Sequence, residues 1–100
     1  MKQYTSESQT AKLIELGLYP KHIKNISDGG KMLLECSGYS IGELIEMLPR
    51  DRGGCPLIID GNLIFKKWAV YYEGAKGFSR YELIDALYEM AIKLKEEGAI

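Results

Sequence analysis

Histidine occurs once in this chain, at His22, and cysteine only twice, at Cys36 and Cys55. A catalytic triad or facial metal site built on His22 would have to draw its other members from distant positions. The 18 residues between the two cysteines fit neither a zinc-knuckle pair nor a disulfide-dense secreted framework. Both thiols are therefore expected to be reduced, and a nucleophile activated by His22 lacks any local cysteine-protease signature. No apolar run approaches the ~20 residues that span a bilayer. The opening "MKQYTSESQT" also lacks the apolar stretch of a signal peptide, so the expected location is the cytoplasm.

Charge of one sign is missing too. Thirteen basic and fourteen acidic side chains give a formal net charge of −1, so no overall positive field draws in nucleic acid or an anionic membrane. The glycine pairs in "SDGGK" and "DRGGCP" and the "EGAKG" segment match neither GxxxxGK[ST] nor GxGxxG. They read as turns before they read as phosphate cradles. What the chain does have is an ordinary globular balance, 46% apolar and 27% charged over 100 residues, enough for one small domain spanning 1–100.

Its best-marked signals are helix boundaries. Ser6 and Gln9 have capping-box spacing, Leu13, Ile14 and Leu16 begin an apolar face, and Gly17 suits the left-handed position past a helix end, with Leu18 returning to Leu13 and Pro20 blocking continuation. "YSIGELIEML" at 39–48 and "FSRYELIDAL" at 78–87 are nearly the same phrase. In the first, Ser40 and Glu43 can cap each other's amides while Tyr39 staples onto Leu44, and Ile41, Leu44, Ile45 and Leu48 form a buried stripe that Pro49 cuts short. The same grammar in the second predicts Ser79 as cap, Glu82 as its reciprocal partner and Phe78 stapled to Leu83. A long stripe follows through Leu83, Ile84, Leu87, Met90, Ala91 and Leu94. Glu43, Glu46, Glu82, Asp85 and Glu89 fall on caps or solvated faces, where carboxylates do little acid–base chemistry.

Between the two phrases, "CPLIIDGNLIFKKWAVYYEGAKG" is rich in β-branched and aromatic residues and carries a hairpin signal at Asp60-Gly61-Asn62. Two antiparallel strands are expected, with the Trp68, Val70 and Tyr72 side facing the core and Phe65, Lys67, Ala69 and Tyr71 on the other. The second strand is longer than "PLIID" can pair, and the excess is an edge for "KMLLEC" at 31–36 or for a second subunit. Homodimerisation follows as an expectation. Residues 20–38 otherwise read as loop, with a turn at Asp28-Gly29-Gly30.

Basic residues beside aromatics on a sheet can hold a single strand by charge and stacking. Lys66, Lys67, Tyr71, Lys76 and Arg80 are the candidates, within a wider set that includes Tyr19, Lys21, His22, Lys24, Lys31, Arg50, Arg52, Trp68 and Tyr72. The competing reading places Trp68 in the core and lets Lys66 and Lys67 guard a strand edge against aggregation. A winged-helix arrangement is disfavoured because "SIGELIEML" exposes acids where a recognition helix is basic.

Together, "SQTAKLIELG", "YSIGELIEMLP", the alternating "WAVYY" and "SRYELIDALYEMAIKLKEEG" resemble a set of short uncharacterised proteins of gut Bacteroidetes, often encoded in prophage-like or other mobile regions. The resemblance implies a bacterial cytoplasmic setting and a phage-related accessory role, and it carries no activity, cofactor or catalytic residue with it.

The expected architecture is one α+β domain. Helices near 6–16, 40–48 and 79–97 lie on one side of a small antiparallel sheet of two or three strands. Leu13, Leu44, Ile45, Leu48, Trp68, Val70, Leu83, Leu87 and Met90 are expected in its core. The expected function is a non-catalytic protein-interaction or accessory module, with no metal or cofactor. Weak single-stranded nucleic-acid binding on the hairpin surface is the alternative.

Overall fold

Two of the three serine-led starts nucleate helices as their spacing requires. A computed structural model describes residues 2–18, 38–62 and 64–100. Helix α1 (Glu7–Glu15) opens on a full capping box: the Gln9 amide donates to Ser6 Oγ and the Ser6 amide to the Gln9 side chain. It closes as a Schellman motif, with Gly17 at φ 83° and the Leu18 amide donating to the Leu13 carbonyl at 2.9 Å. Helix α2 (Ile41–Met47) has the same box on Ser40 and Glu43, and ends at Leu48 in extended geometry before Pro49. Tyr39 and Leu44, the two halves of the expected staple, are both fully buried in the core.

The third start departs from expectation. Helix α3 (Leu83–Glu96) begins four residues beyond Ser79, its cap is Glu82, and no side chain caps it. Phe78–Arg80 instead forms a strand, pairing Phe78 with Val70, Ser79 with Ala69 and Arg80 with Trp68. Glu82 does not reach back to Ser79; it accepts the backbone amide of Lys2 at 2.8 Å.

The sheet has four strands, antiparallel and in chain order: β1 (Asp51–Arg52), β2 (Cys55–Asn62), β3 (Lys67–Tyr72) and β4 (Phe78–Arg80). That is more than the two or three expected, because β1 and β4 are too short to announce themselves by pattern. Asp60-Gly61-Asn62 is not the hairpin turn either. These residues lie within β2, opposite Ala69, Trp68 and Lys67, and the chain reverses between Asn62 and Lys67. Asn62 directs that reversal through its side chain, which accepts the amides of Ile64 (3.0 Å) and Phe65 (3.1 Å), while Lys66 takes the left-handed position at φ 54°. The excess length expected of the second strand is not there: β3 has six residues, β2 pairs every one of them, and β4 covers the other edge of β3 at Trp68–Val70. The expectation of a strand at 31–36 lies outside the described residues.

The core lies between the helices and one face of the sheet. Val70 and Tyr72 alternate with outward Ala69 and Tyr71, and Leu57, Ile59 and Phe78 share the inner face by register. Of the residues expected inside, Leu13, Leu44, Leu48, Val70, Leu83, Leu87 and Met90 are buried. Ile45 and Trp68 are half-buried against the same cluster. Helix α3 supplies seven buried side chains, each large one contributing roughly 1.5–3 kcal/mol, which explains why it stands without a capping side chain. Among the described residues no helix is long and apolar enough to cross a membrane.

Candidate functional site

The register of the sheet decides where each candidate side chain points. Lys67 and Tyr71 share the outer face, because both alternate with the core-facing Trp68, Val70 and Tyr72. Arg80 faces the other way. It pairs with Trp68, and its guanidinium is committed to Glu89 of α3, with Nε 3.1 Å from Oε1 and the second nitrogen 2.6 Å from Oε2. The contact with Oε2 is an ion pair without hydrogen-bond alignment. Lys66 stands in the loop after β2, and Lys76 is exposed in the loop before β4, at the opposite end of β3. The five candidates therefore do not form one surface. Lys67 and Tyr71 are joined instead by Tyr81, 69% exposed, whose ring carries the Lys67 ammonium 5.0 Å from its centroid. Tyr81 was hidden in the sequence because it reads as a helical position after Ser79; as the residue following β4 it emerges on the outer face.

The thiol of Cys55 is half-buried and free, in a hollow of about 430 Å³ with Arg52, Tyr72 and Glu73. Arg52 is drawn to Glu97 at 3.2 Å and stands 5.9 Å from the Tyr72 ring centroid. The Tyr72 hydroxyl donates to the Pro49 carbonyl at 2.8 Å. Burial pushes its pKa up against the pull of Arg52, with Asp51 adding to the rise, so it remains a protonated donor. This cluster ties β1 and the end of β3 to α3. His22 and Cys36 lie outside the described residues, as do Tyr19, Lys21, Lys24 and Lys31. Among the described residues no three metal-ligating side chains converge.

The feature with the clearest binding geometry is the edge of β2 that no strand among the described residues covers beyond Pro56. The Leu57 amide donates to the Arg50 carbonyl at 2.9 Å, on the side away from β3. Alternate residues share that direction, so the peptide groups of Ile59 and Gly61 also point away from β3. Strand β1 pairs only Cys55 and Pro56, so among the described residues no strand covers Ile59 or Gly61. β2 carries neither Lys nor a Pro in this open part, the devices that usually blunt such an edge. Beside it opens a groove of about 600 Å³, floored by Ile45, Leu48, Leu57 and Ile59, with Glu46 and Arg50 at its rim. At the far end of the strand Ile64 (85% exposed) and Phe65 (67%) stand in water. None of this was visible in the sequence, where Asp60-Gly61-Asn62 reads as the turn itself.

Comparisons with protein-family models, with curated proteins and with solved structures find no match.

Proposed function

We propose that this protein is a non-catalytic interaction module that takes its partner by strand addition to the open edge of β2. It acts as an accessory protein in the bacterial cytoplasm, and the resemblance of its sequence segments to proteins of mobile regions supports a phage or mobile-element origin. One observation carries the reading: the peptide groups of Ile59 and Gly61 face away from β3 next to an apolar groove. Main-chain hydrogen bonds supply affinity in such docking, and the groove supplies side-chain selectivity. The test is selection of binders from a random library of extended peptides, followed by backbone NMR. Binders are expected to shift the amides of Ile59 and Gly61 and to lose affinity for Gly61→Pro, which removes an outward N–H without removing a ladder bond to β3. Binders that leave both amides unmoved would end the proposal.

A second reading, weak binding of single-stranded nucleic acid, is favoured by the Lys67 ammonium over Tyr81 on the same face as Tyr71. It predicts salt-sensitive retention on a single-stranded oligonucleotide, lost when Lys66 and Lys67 become Glu in a folded protein. Retention that ignores both salt and these changes removes it.

A further inference from the structure

We infer that the partner strand is supplied by a second copy of this chain, whose β2 pairs antiparallel with the first across a two-fold axis through Gly61. The inference rests on the open-edge reading above and names its occupant.

Antiparallel pairing of β2 with itself must set outward residues against outward residues, which leaves three registers around Ile59 and Gly61. A two-fold at Ile59 sets Asn62 of one copy against Pro56 of the other, a place already taken by Asp51 of β1. A two-fold midway between Ile59 and Gly61 sets the two Asp60 carboxylates opposite one another, where like charges repel. It also presses the chain beyond Asn62 onto Leu57, whose outward amide belongs to Arg50. A two-fold at Gly61 avoids both conflicts. Asp60 then faces the Asn62 side-chain amide of the other copy, and the chain turns away after Asn62 before reaching β1.

Gly61 is compatible with this register. Its φ is not in the left-handed region, so no backbone requirement calls for glycine there. What glycine provides is room, since a Cβ at that position would lie 3.2 Å from the Trp68 ring, which covers it from the inner face. A glycine within a strand marks close approach of another backbone or group. With Gly61 on Gly61, the two half-buried Trp68 rings meet over the axis. The exposed Ile64 and Phe65 of each copy arrive at the mouth of the other's groove at Leu57. The same operation thus covers the edge, the indole, the apolar tip and the groove in both copies, as an isologous interface requires.

The experiment is sedimentation equilibrium from micromolar to millimolar protein, with tryptophan fluorescence and amide hydrogen exchange followed over the same range. A transition from 11.3 kDa to twice that mass is expected. The emission of Trp68, the sole tryptophan, should shift with the same midpoint, and exchange at Ile59 and Gly61 should slow as dimer forms. The double variant Ile64→Ser, Phe65→Ser lies outside the ladder and leaves the monomer fold intact; it should weaken association at least tenfold. A protein that stays monomeric at millimolar concentration overturns the inference, as does a dimer whose Trp68 emission and Ile59 and Gly61 exchange are unchanged. In either case peptides that still bind at the β2 edge leave the interaction-module reading standing, so the two failures are distinguishable.

Discussion

The segments 38–48 and 77–87 both read glycine, aromatic, serine, two variable residues and then Glu-Leu-Ile, yet they fold differently. In the first, serine caps a helix that begins at the next residue; in the second, serine sits in β4 and the helix waits until Leu83. The difference lies in what the surroundings offer. Helix α2 has seven residues and one fully committed side chain, Leu44, so a capping box that contributes about 1 kcal/mol is a large share of what holds its start. Helix α3 buries seven side chains and gains little from a box. The Phe78–Arg80 stretch gains more by covering the edge of β3, where its peptide groups find ladder partners and Arg80 reaches Glu89. A local signal decides structure where burial is scarce and yields where burial and pairing are plentiful.

The glycines that open the two segments give the largest predicted effects, for different reasons. A Cβ on Gly77 would lie 2.0 Å from the Val70 carbonyl oxygen and 2.4 Å from the Tyr71 Cβ, so Gly77→Ala forces β4 off β3. A drop of about 3 kcal/mol or more is expected in urea denaturation, and the ion pair between Arg80 and Glu89 should break with it. Gly38 has φ +87°, and a Cβ there would meet the Thr5 carbonyl at 2.8 Å and Thr10 Oγ1 at 2.9 Å. Thr5 seats the N-terminal segment on Tyr39: its amide donates to the Tyr39 carbonyl, the Tyr39 amide donates to its Oγ1, and that Oγ1 lies 2.7 Å from Thr10 Oγ1. Gly38→Ala should therefore cost about 2–3 kcal/mol, from backbone strain and the displaced segment together. If Gly77→Ala proved the milder of the two, β4 would not be the element that distinguishes the segments.

The serines come next. Ser40→Ala removes the acceptor of the Glu43 amide and should lower stability by about 1 kcal/mol, whereas Ser79→Ala removes a strand side chain with no capping role and should stay within about 0.5 kcal/mol. Equal losses would mean that Ser79 caps after all. This pair also marks how far the chain can be read by eye. The boxes at Ser6 and Ser40 and the glycine closure at Gly17 are local arrangements of four to six residues, so where nothing competes their spacing suffices to predict them. Strand β4 depends on Trp68–Val70, eight or more residues away, and nothing in "FSR" records that need. The hairpin shows the same limit at shorter range. Asp60-Gly61-Asn62 has turn composition, but only Asn62 serves the turn, by accepting two amides beyond itself, while Gly61 stays in the strand under Trp68. The candidate binding edge is therefore the least legible part, because it is defined by what no strand among the described residues pairs with. The basic and aromatic surface was half legible, with Lys67 and Tyr71 on one face and Arg80 turned inward by a strand whose existence was not predicted.

The smallest effect concerns the acids at equivalent places, Glu46 and Asp85. Glu46 is exposed at the rim of the groove, whereas Asp85 gathers the Gln9 side-chain amide at 2.8 Å and the Lys2 ammonium at 3.0 Å, tying α1 and the N-terminal segment to α3. Burial by itself would raise the Asp85 pKa. The hydrogen bonds from Gln9 and Lys2, with the charges of Lys2 and Arg80, outweigh it and hold the carboxyl below its ordinary value of 3.8. A carboxyl whose pKa is lower folded than unfolded contributes its stability above the unfolded value and loses it as pH falls through the folded one. Asp85→Asn should thus melt at a lower temperature than the parent at neutral pH, with the gap closing as pH drops below about 4. Gln9→Ala should reproduce part of that gap. A gap that persists at low pH would show that Asn fails there for its shape, and that the second segment is not held to the N-terminal one by charge.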